Sequence, residues 1–190
     1  MPTGVALRAV RAQLFEAADR VLRRAGPSGL TSRAVTTEAG CAKGVLHRHF
    51  ADFDAFLAEY VLDRVERMDE QAAKLRESAG TGTVADNVTD ALIAVFGSVA
   101  VAIVALITFR DELRARLRET WPAGVPVLTE AVELVRDYLA AEQDLGRVSG
   151  DVDGLAPTLI GSAHLLFADR TGPAPDREAV RATVVTVLGH

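Results

Sequence analysis

Cysteine is nearly absent from this 190-residue chain, Cys41 being the single example. One thiol excludes an internal disulfide and any multi-cysteine zinc site. Aromatic residues are also scarce, at 5%. No stretch of useful length alternates apolar with polar residues, so a β-sheet core has no source. There is no nucleophile–base constellation, no phosphate-binding loop and no metal-ligand cluster, so neither enzymatic activity nor a cofactor is expected. Internal repeats and low-complexity segments are missing too. A secretory signal is not expected, because Arg8, Arg11 and Glu16 interrupt any early apolar run, and this points to the cytoplasm. The one long uncharged stretch, Ala91 to Phe109, approaches the length of a membrane span. It has no one-sided basic flank, and Gly97-Ser98 offers a break near its middle. Two buried core helices are therefore expected rather than a membrane partner.

What the chain does have is alanine, leucine, valine and arginine, the composition of an all-α protein. Leu7, Val10, Leu14, Ala17, Ala18, Val21, Leu22 and Ala25 recur at helical spacing and predict a first helix over about residues 6–25. Gly26-Pro27-Ser28-Gly29 stops it, and Thr31 is suited to cap a second helix. A third, short helix is expected over 43–49, anchored by Leu46 and closed by Phe50. Asp52 caps a fourth, long one reaching about Arg76. After the linker Gly80-Thr81-Gly82-Thr83, helices are expected at about 84–97, 98–109, along the charged run 110–119, and at 127–141, 154–169 and 177–188. Asp151 or Asp153 and Asp176 serve as caps for the last two, and Thr171 to Pro175 forms the turn between them.

Charge is distributed unevenly. Residues 1–50 hold eight basic and three acidic side chains, a net +5, whereas residues 51–190 carry −10. Such asymmetry suggests a polyanion-binding head on a body with another task, the alternative being a merely solvated basic face. Within the head, residues 31–50 read as two short helices joined by a tight turn at Ala39-Gly40-Cys41-Ala42. Arg33, Lys43, His47, Arg48 and His49 surround that turn, so the segment is a candidate helix-turn-helix presenting its second helix to a DNA major groove. His47 and His49 are two apart and diverge, so a metal site is not expected. Cys41 reads as a small buried hydrophobe.

The run Ala39-Gly40-Cys41-Ala42-Lys43-Gly44-Val45-Leu46-His47-Arg48-His49-Phe50, continuing to Asp54 and Leu57, resembles the TetR family of bacterial transcriptional regulators. In that family a Thr-capped helix ends in Ala-Ala-Gly-Val-Ser and is followed by Lys-Gly-Thr-Leu-Tyr-x-His-Phe. The match covers about residues 10–60, and the loop from Leu145 to Asp153 also looks like its counterpart. Three positions depart: Ala42 replaces the usual hydroxyl residue, His47 the usual tyrosine and Phe53 the usual lysine.

The resemblance implies a helix-turn-helix DNA-binding domain at 6–51, a connecting helix at 52–79 and a ligand-binding and dimerisation domain at 84–190. It implies base contacts from Lys43, Gly44 and Val45, and phosphate contacts from Thr31, Arg33, His47, Arg48 and His49 to a double-stranded DNA operator. Phe96, Phe109, Trp121, Tyr138, His164 and Phe167 are candidates to line a cavity for a small apolar effector, the alternative for each being core packing. Leu159, Ala163, Leu166, Val184, Val187 and Leu188 are candidates for a homodimer interface, the alternative being closure of the monomer's own core. The function implied is a ligand-released repressor acting as a homodimer. The alternative is a small-molecule-binding helical dimer whose DNA-binding head has weakened, as the three departures would suggest.

Overall fold

The computed structural model describes residues 4–169 and 172–189. The side chain of Leu7, expected on the inner stripe, and Thr171, expected in the last turn, lie outside what is described. Among the described residues the structure is all-α, with no strand. The helices are α1 (Gly4–Gly29), α2 (Ser32–Glu38), α3 (Gly44–His49), α4 (Phe53–Glu66), α5 (Met68–Glu77), α6 (Val84–Phe96), α7 (Ala100–Phe109), α8 (Asp111–Leu117), α9 (Leu128–Asp144), α10 (Val152–Ala168) and α11 (Arg177–Leu188). They form two compact units, Met1–Asp63 with Ala102–Ala123, and Arg64–Val101 with Gly124–His190. These units are discontinuous along the chain, whereas the spans that the resemblance implies, 6–51, 52–79 and 84–190, are contiguous.

In the first unit, Leu14, Ala17, Ala18, Val21 and Leu22 of α1 are buried, as their spacing requires. The backbone leaves helical geometry at Gly26 (φ 67°), just before Pro27. Thr31 then starts α2, its hydroxyl accepting the Ala34 N–H at 3.1 Å. Asp52 starts α4 in the same way, accepting from the Ala55 N–H at 2.7 Å. An aromatic cluster holds these helices together: Phe56, fully buried, packs on Phe15, Phe50, Phe53 and Tyr60 with ring separations of 5.1–6.3 Å. The Tyr60 hydroxyl donates to the Asp19 carboxylate of α1. From α7 and α8, Ile103, Leu106, Ile107, Leu113 and Leu117 complete the core of this unit. Two ion pairs fasten these later residues to the α4 start, Arg110–Asp54 and Arg116–Asp52, both at 2.8 Å.

The helix expected from Asp52 to Arg76 is interrupted at Arg67. Asp69 and Glu70 occupy the first turn of α5, where a helix dipole favours negative charge. The run Ala91–Phe109 is also divided, with α6 ending at Phe96. Ser98 caps the start of α7, its hydroxyl accepting the Ala100 N–H at 3.2 Å. No single helix among the described residues is long and apolar enough to cross a membrane.

In the second unit, α10 packs on α9 and α11, α11 on α6, and α5 on α6 and α9. Thr83, Asp151 and Asp176 cap α6, α10 and α11 through backbone N–H groups. Arg177 and Arg181 tie α11 to Asp86 and Asp90 of α6 at 3.0–3.1 Å. Glu142 of α9 is fully buried. Its carboxylate accepts from the Tyr138 hydroxyl at 2.6 Å and the Gly80 N–H at 3.2 Å, with the Arg147 guanidinium at 3.4 Å. A buried carboxylate is tolerable only with such partners, so this cluster fixes the linker before α6 onto α9.

Candidate nucleic-acid interface

The geometry of the head begins with Gly40. Its φ of +65° reverses the chain after α2, a conformation that a residue with a Cβ rarely adopts. The Gly40 and Cys41 N–H groups then close the turn onto the Thr37 and Thr36 carbonyls at 3.1 and 3.0 Å. Two side chains of α1 and one of α3 itself hold the turn and α3 in place. Gln13 of α1 donates to the Ala39 carbonyl at 2.8 Å. Arg11 donates to the His49 carbonyl at 3.4 Å and lies over the Phe50 ring at 4.5 Å. It also pairs with Glu59 of α4. Leu46, fully buried, pins the inner face of α3.

This leaves a defined outer surface. Thr31, Arg33, Lys43, Gly44, His47 and Arg48 are exposed, and Val45 and His49 are half-buried. All eight candidate residues therefore have some surface on or beside the helix-turn-helix. Cys41 is half-buried, not the fully enclosed hydrophobe expected, because the turn that carries it lies at the edge of the unit. The start of α3 has no side-chain cap, in keeping with Ala42 at that point. Phe53, in place of a lysine, stacks on Phe56 at 5.6 Å and has the Arg110 guanidinium 5.7 Å from its ring. It thus contributes packing where a lysine would contribute charge.

The cations of the head divide into two sets. Arg11 is paired with Glu59, while Arg20 and Arg24 both bind Glu38, at 2.7 and 2.9 Å. Arg20, and with it Arg24, holds the Glu38 carboxyl below its ordinary range. Arg33, Lys43 and Arg48 form no ion pair among the described residues. The cations left uncompensated are thus those around the turn, along with exposed Arg8 and Arg23 on α1. Unpaired, exposed cations on a fixed framework are suited to phosphate.

Gly44 is informative for a different reason. A Cβ added there would meet nothing within 4 Å, and its φ is not left-handed. Neither packing nor backbone conformation inside the chain requires a glycine at this position. Gly44→Ala is expected to keep the fold, with stability unchanged or raised by less than about 1 kcal/mol. The same substitution is expected to weaken DNA retention measurably, since it puts a methyl where the backbone would approach a base edge. Thermal unfolding and a gel-shift titration of the same preparation check the two halves of this statement.

The six candidate ligand-lining residues are divided between the two units. Phe96, His164 and Phe167 do meet, with ring separations of 6.0 and 6.1 Å from Phe96. Burial pushes the His164 imidazole below its ordinary pKa, and its Nδ1 has no hydrogen-bond partner among the described residues. Tyr138 instead serves the Glu142 cluster. Burial, with Glu142 beside it, pushes its hydroxyl up to about 12. Trp121 and Phe109 belong to the first unit, and Phe109 is 85% exposed. Its helix is apolar all round, so periodicity does not indicate which side faces out.

The candidate interface residues are also redistributed. Leu159, Ala163, Val184 and Leu188 are buried in the chain's own core, so the most apolar stripe of each helix faces inward. Leu166 and Val187 are half-buried. Leu165, which periodicity does not single out, is 76% exposed on α10. Arg11 and Gln13 also escape sequence reasoning. The signal for Arg11 is a charge at position 11, inside the stripe of Leu14, Phe15, Ala18 and Leu22.

Residues 14–60 match the family model described as bacterial regulatory proteins, tetR family. No curated protein matches the sequence. Solved structures share the fold at low identity. The reduced form of Escherichia coli NemR superposes with a TM-score of 0.73 at 14% identity, covering 95% of this chain and 96% of that one. Salmonella enterica GusR gives 0.63 at 16% identity, covering 96% of each. The Bacillus subtilis transcriptional regulator FadR, solved in complex with stearoyl-CoA, gives 0.61 at 15% identity, covering 94% and 95%.

Proposed function

We propose, from the premise that this chain belongs to the tetR family of bacterial regulatory proteins, that it is a homodimeric, cytoplasmic repressor released from its operator by a small molecule. The observation that carries the DNA-reading part is the division of cations in the head. Arg11, Arg20 and Arg24 are neutralised by carboxylates, while Arg33, Lys43 and Arg48 are left exposed around the turn. In this reading Lys43 donates to a guanine edge, Gly44 lets the backbone approach and Val45 meets a thymine methyl. Thr31, Arg33, His47, Arg48 and His49 hold phosphates and set the register. Two heads spaced by roughly 34–36 Å read two half-sites of the operator, which requires a dimer. An effector binding one arrangement of the dimer better than the other lowers operator affinity by its differential affinity and by no more.

The test begins with selection of bound fragments from genomic DNA, followed by titration of the recovered site at several salt concentrations. The double variant Arg48→Ala, His49→Ala is expected to weaken binding by tenfold or more, since a hydrogen bond to a charged group contributes about 1.5–3 kcal/mol. It is also expected to flatten the dependence of log K on log salt by about one unit for each phosphate that is no longer neutralised. Unchanged affinity with an unchanged slope would remove the assigned surface. A dimer that binds a small molecule but retains no fragment at low salt would favour the weakened-head alternative. Uncapped α3 and Phe53 are the features that keep that alternative in view.

A further inference from the structure

A groove of about 350 Å³ lies between α5 and α6, inside the second unit. It is open to solvent on one side, and its volume lies at the lower end of the range of small-ligand clefts. Gln71, Lys74 and Leu75 line it from α5, Ser78 from the residue that ends that helix, and Asn87, Asp90, Ala91 and Ala94 from α6. The groove exists because Ala91 and Ala94, three residues apart on one face of α6, carry no side chain beyond Cβ. Buried Leu75 supplies apolar surface from α5.

The polar groups of the groove are not equivalent. Asn87 is fully engaged as a donor, to the Ser78 and Thr81 carbonyls and the Tyr138 hydroxyl. Asp90 is paired with Arg177 at 3.0 Å. The Ser78 hydroxyl donates to the Leu75 carbonyl at 2.7 Å. Lys74 has no ion pair, and the Gln71 side-chain amide no hydrogen bond, among the described residues. The uncompensated charge of the groove is therefore a single positive one, next to a free amide and above an apolar floor.

We infer that this groove binds a small organic anion, with its charged head on Lys74 and Gln71 and its apolar body against Leu75, Ala91 and Ala94. The inference rests on the regulator reading for its purpose: it names the effector as a compact, negatively charged amphiphile in place of a purely apolar one. Asn87 links the groove to Tyr138 and Glu142, so an occupant between α5 and α6 bears directly on the cluster that holds the linker to α9.

The test is calorimetric titration of the full chain with octanoate and phenylacetate, and with octanol as the uncharged comparison. The wild-type chain is expected to bind at least one of the carboxylates. Lys74→Met, which keeps the aliphatic stem, is expected to weaken that binding by about tenfold or more and to leave octanol unchanged. Ala91→Leu, which fills the floor, is expected to abolish binding of every probe that the wild-type chain binds. Circular dichroism of both variants establishes that they are folded. If neither carboxylate binds, or if Lys74→Met binds it as the wild type does, the proposal is overturned. Retention of genomic DNA by the same preparations separates the two readings. DNA binding without charge-dependent carboxylate binding overturns the groove alone. Charge-dependent carboxylate binding without DNA binding supports the groove and overturns the regulator reading.

Discussion

Leu165→Glu is expected to leave the chain monomeric and to abolish retention of its operator. The outer face of α10 is made by Gly154, Thr158, Gly161, Leu165 and Ala168, which recur three or four residues apart and are all exposed, with exposed Pro157 beside them. Ala156, Leu159, Ile160 and Ala163 on the opposite face are buried. A Cβ at Gly161 would meet nothing within 4 Å, so this face can accept a close-packed helix. On α11 the exposed positions Ala179, Ala182 and Thr186 are also small. Leu165 is the one large apolar side chain offered by this face, 76% exposed in the single chain. In the proposed homodimer, if α10 packs through this face, a carboxylate at this position would bury an unpaired charge, at a cost of about 3–5 kcal/mol. That corresponds to a loss of at least about a hundredfold in dimer affinity. Sedimentation equilibrium measures the association, and gel shift measures the consequence for a two-headed operator. A Leu165→Glu chain that remains dimeric would place the interface elsewhere.

Phe56→Ala is expected to destabilise the first unit by about 3–5 kcal/mol, the usual cost of deleting a buried phenyl ring. Phe56 is fully buried, and its ring contacts Phe15 of α1, Phe50 at the end of α3, and Phe53 and Tyr60 of α4. Its removal leaves a cavity that three elements line, and a small domain has little stability to spare. Urea unfolding followed by circular dichroism measures the change. Phe56→Leu, which retains most of the volume, is expected to lose clearly less. A cost below about 1 kcal/mol for the alanine variant would mean that the cluster collapses around the gap, and that α3 is held chiefly by Arg11 and Gln13.

The head is largely legible in the sequence because its signals are local. Thr31, Gly40 and Asp52 act through turn and cap chemistry that needs no distant partner, and each is found in that role. The helices at 152–168 and 177–188 are legible for the same reason, through Asp151 and Asp176. The break at Arg67 is not, because helix formers run unbroken on both sides of it. Phe109 defeats sequence reasoning because its helix is apolar all round and marks no outer side, and Leu165 for a different reason. Periodicity reports how apolar a face is, and the most apolar face of a helix is the one its own core takes. What remains outside is sparser, and a sequence does not mark it. The α5–α6 groove belongs to this class: it comes from two alanines whose importance appears only once Leu75 and Lys74 stand opposite them. The Glu142 cluster depends on Gly80, 62 residues away, and no local pattern pairs the two.

The return of residues 102–123 to the first unit bears on inheritance. A DNA-reading module that ended at residue 63 could be cut out and exchanged among regulators as one contiguous cassette. Here such a cassette would leave behind Ile103, Leu106, Leu113 and Leu117, and would strand Asp52 and Asp54 without Arg116 and Arg110. Recombination at that border would carry the letters of the operator code but not the scaffold that orients them. Point substitutions on the exposed side of the helix-turn-helix leave that frame intact, and the frame is encoded in both halves of the gene.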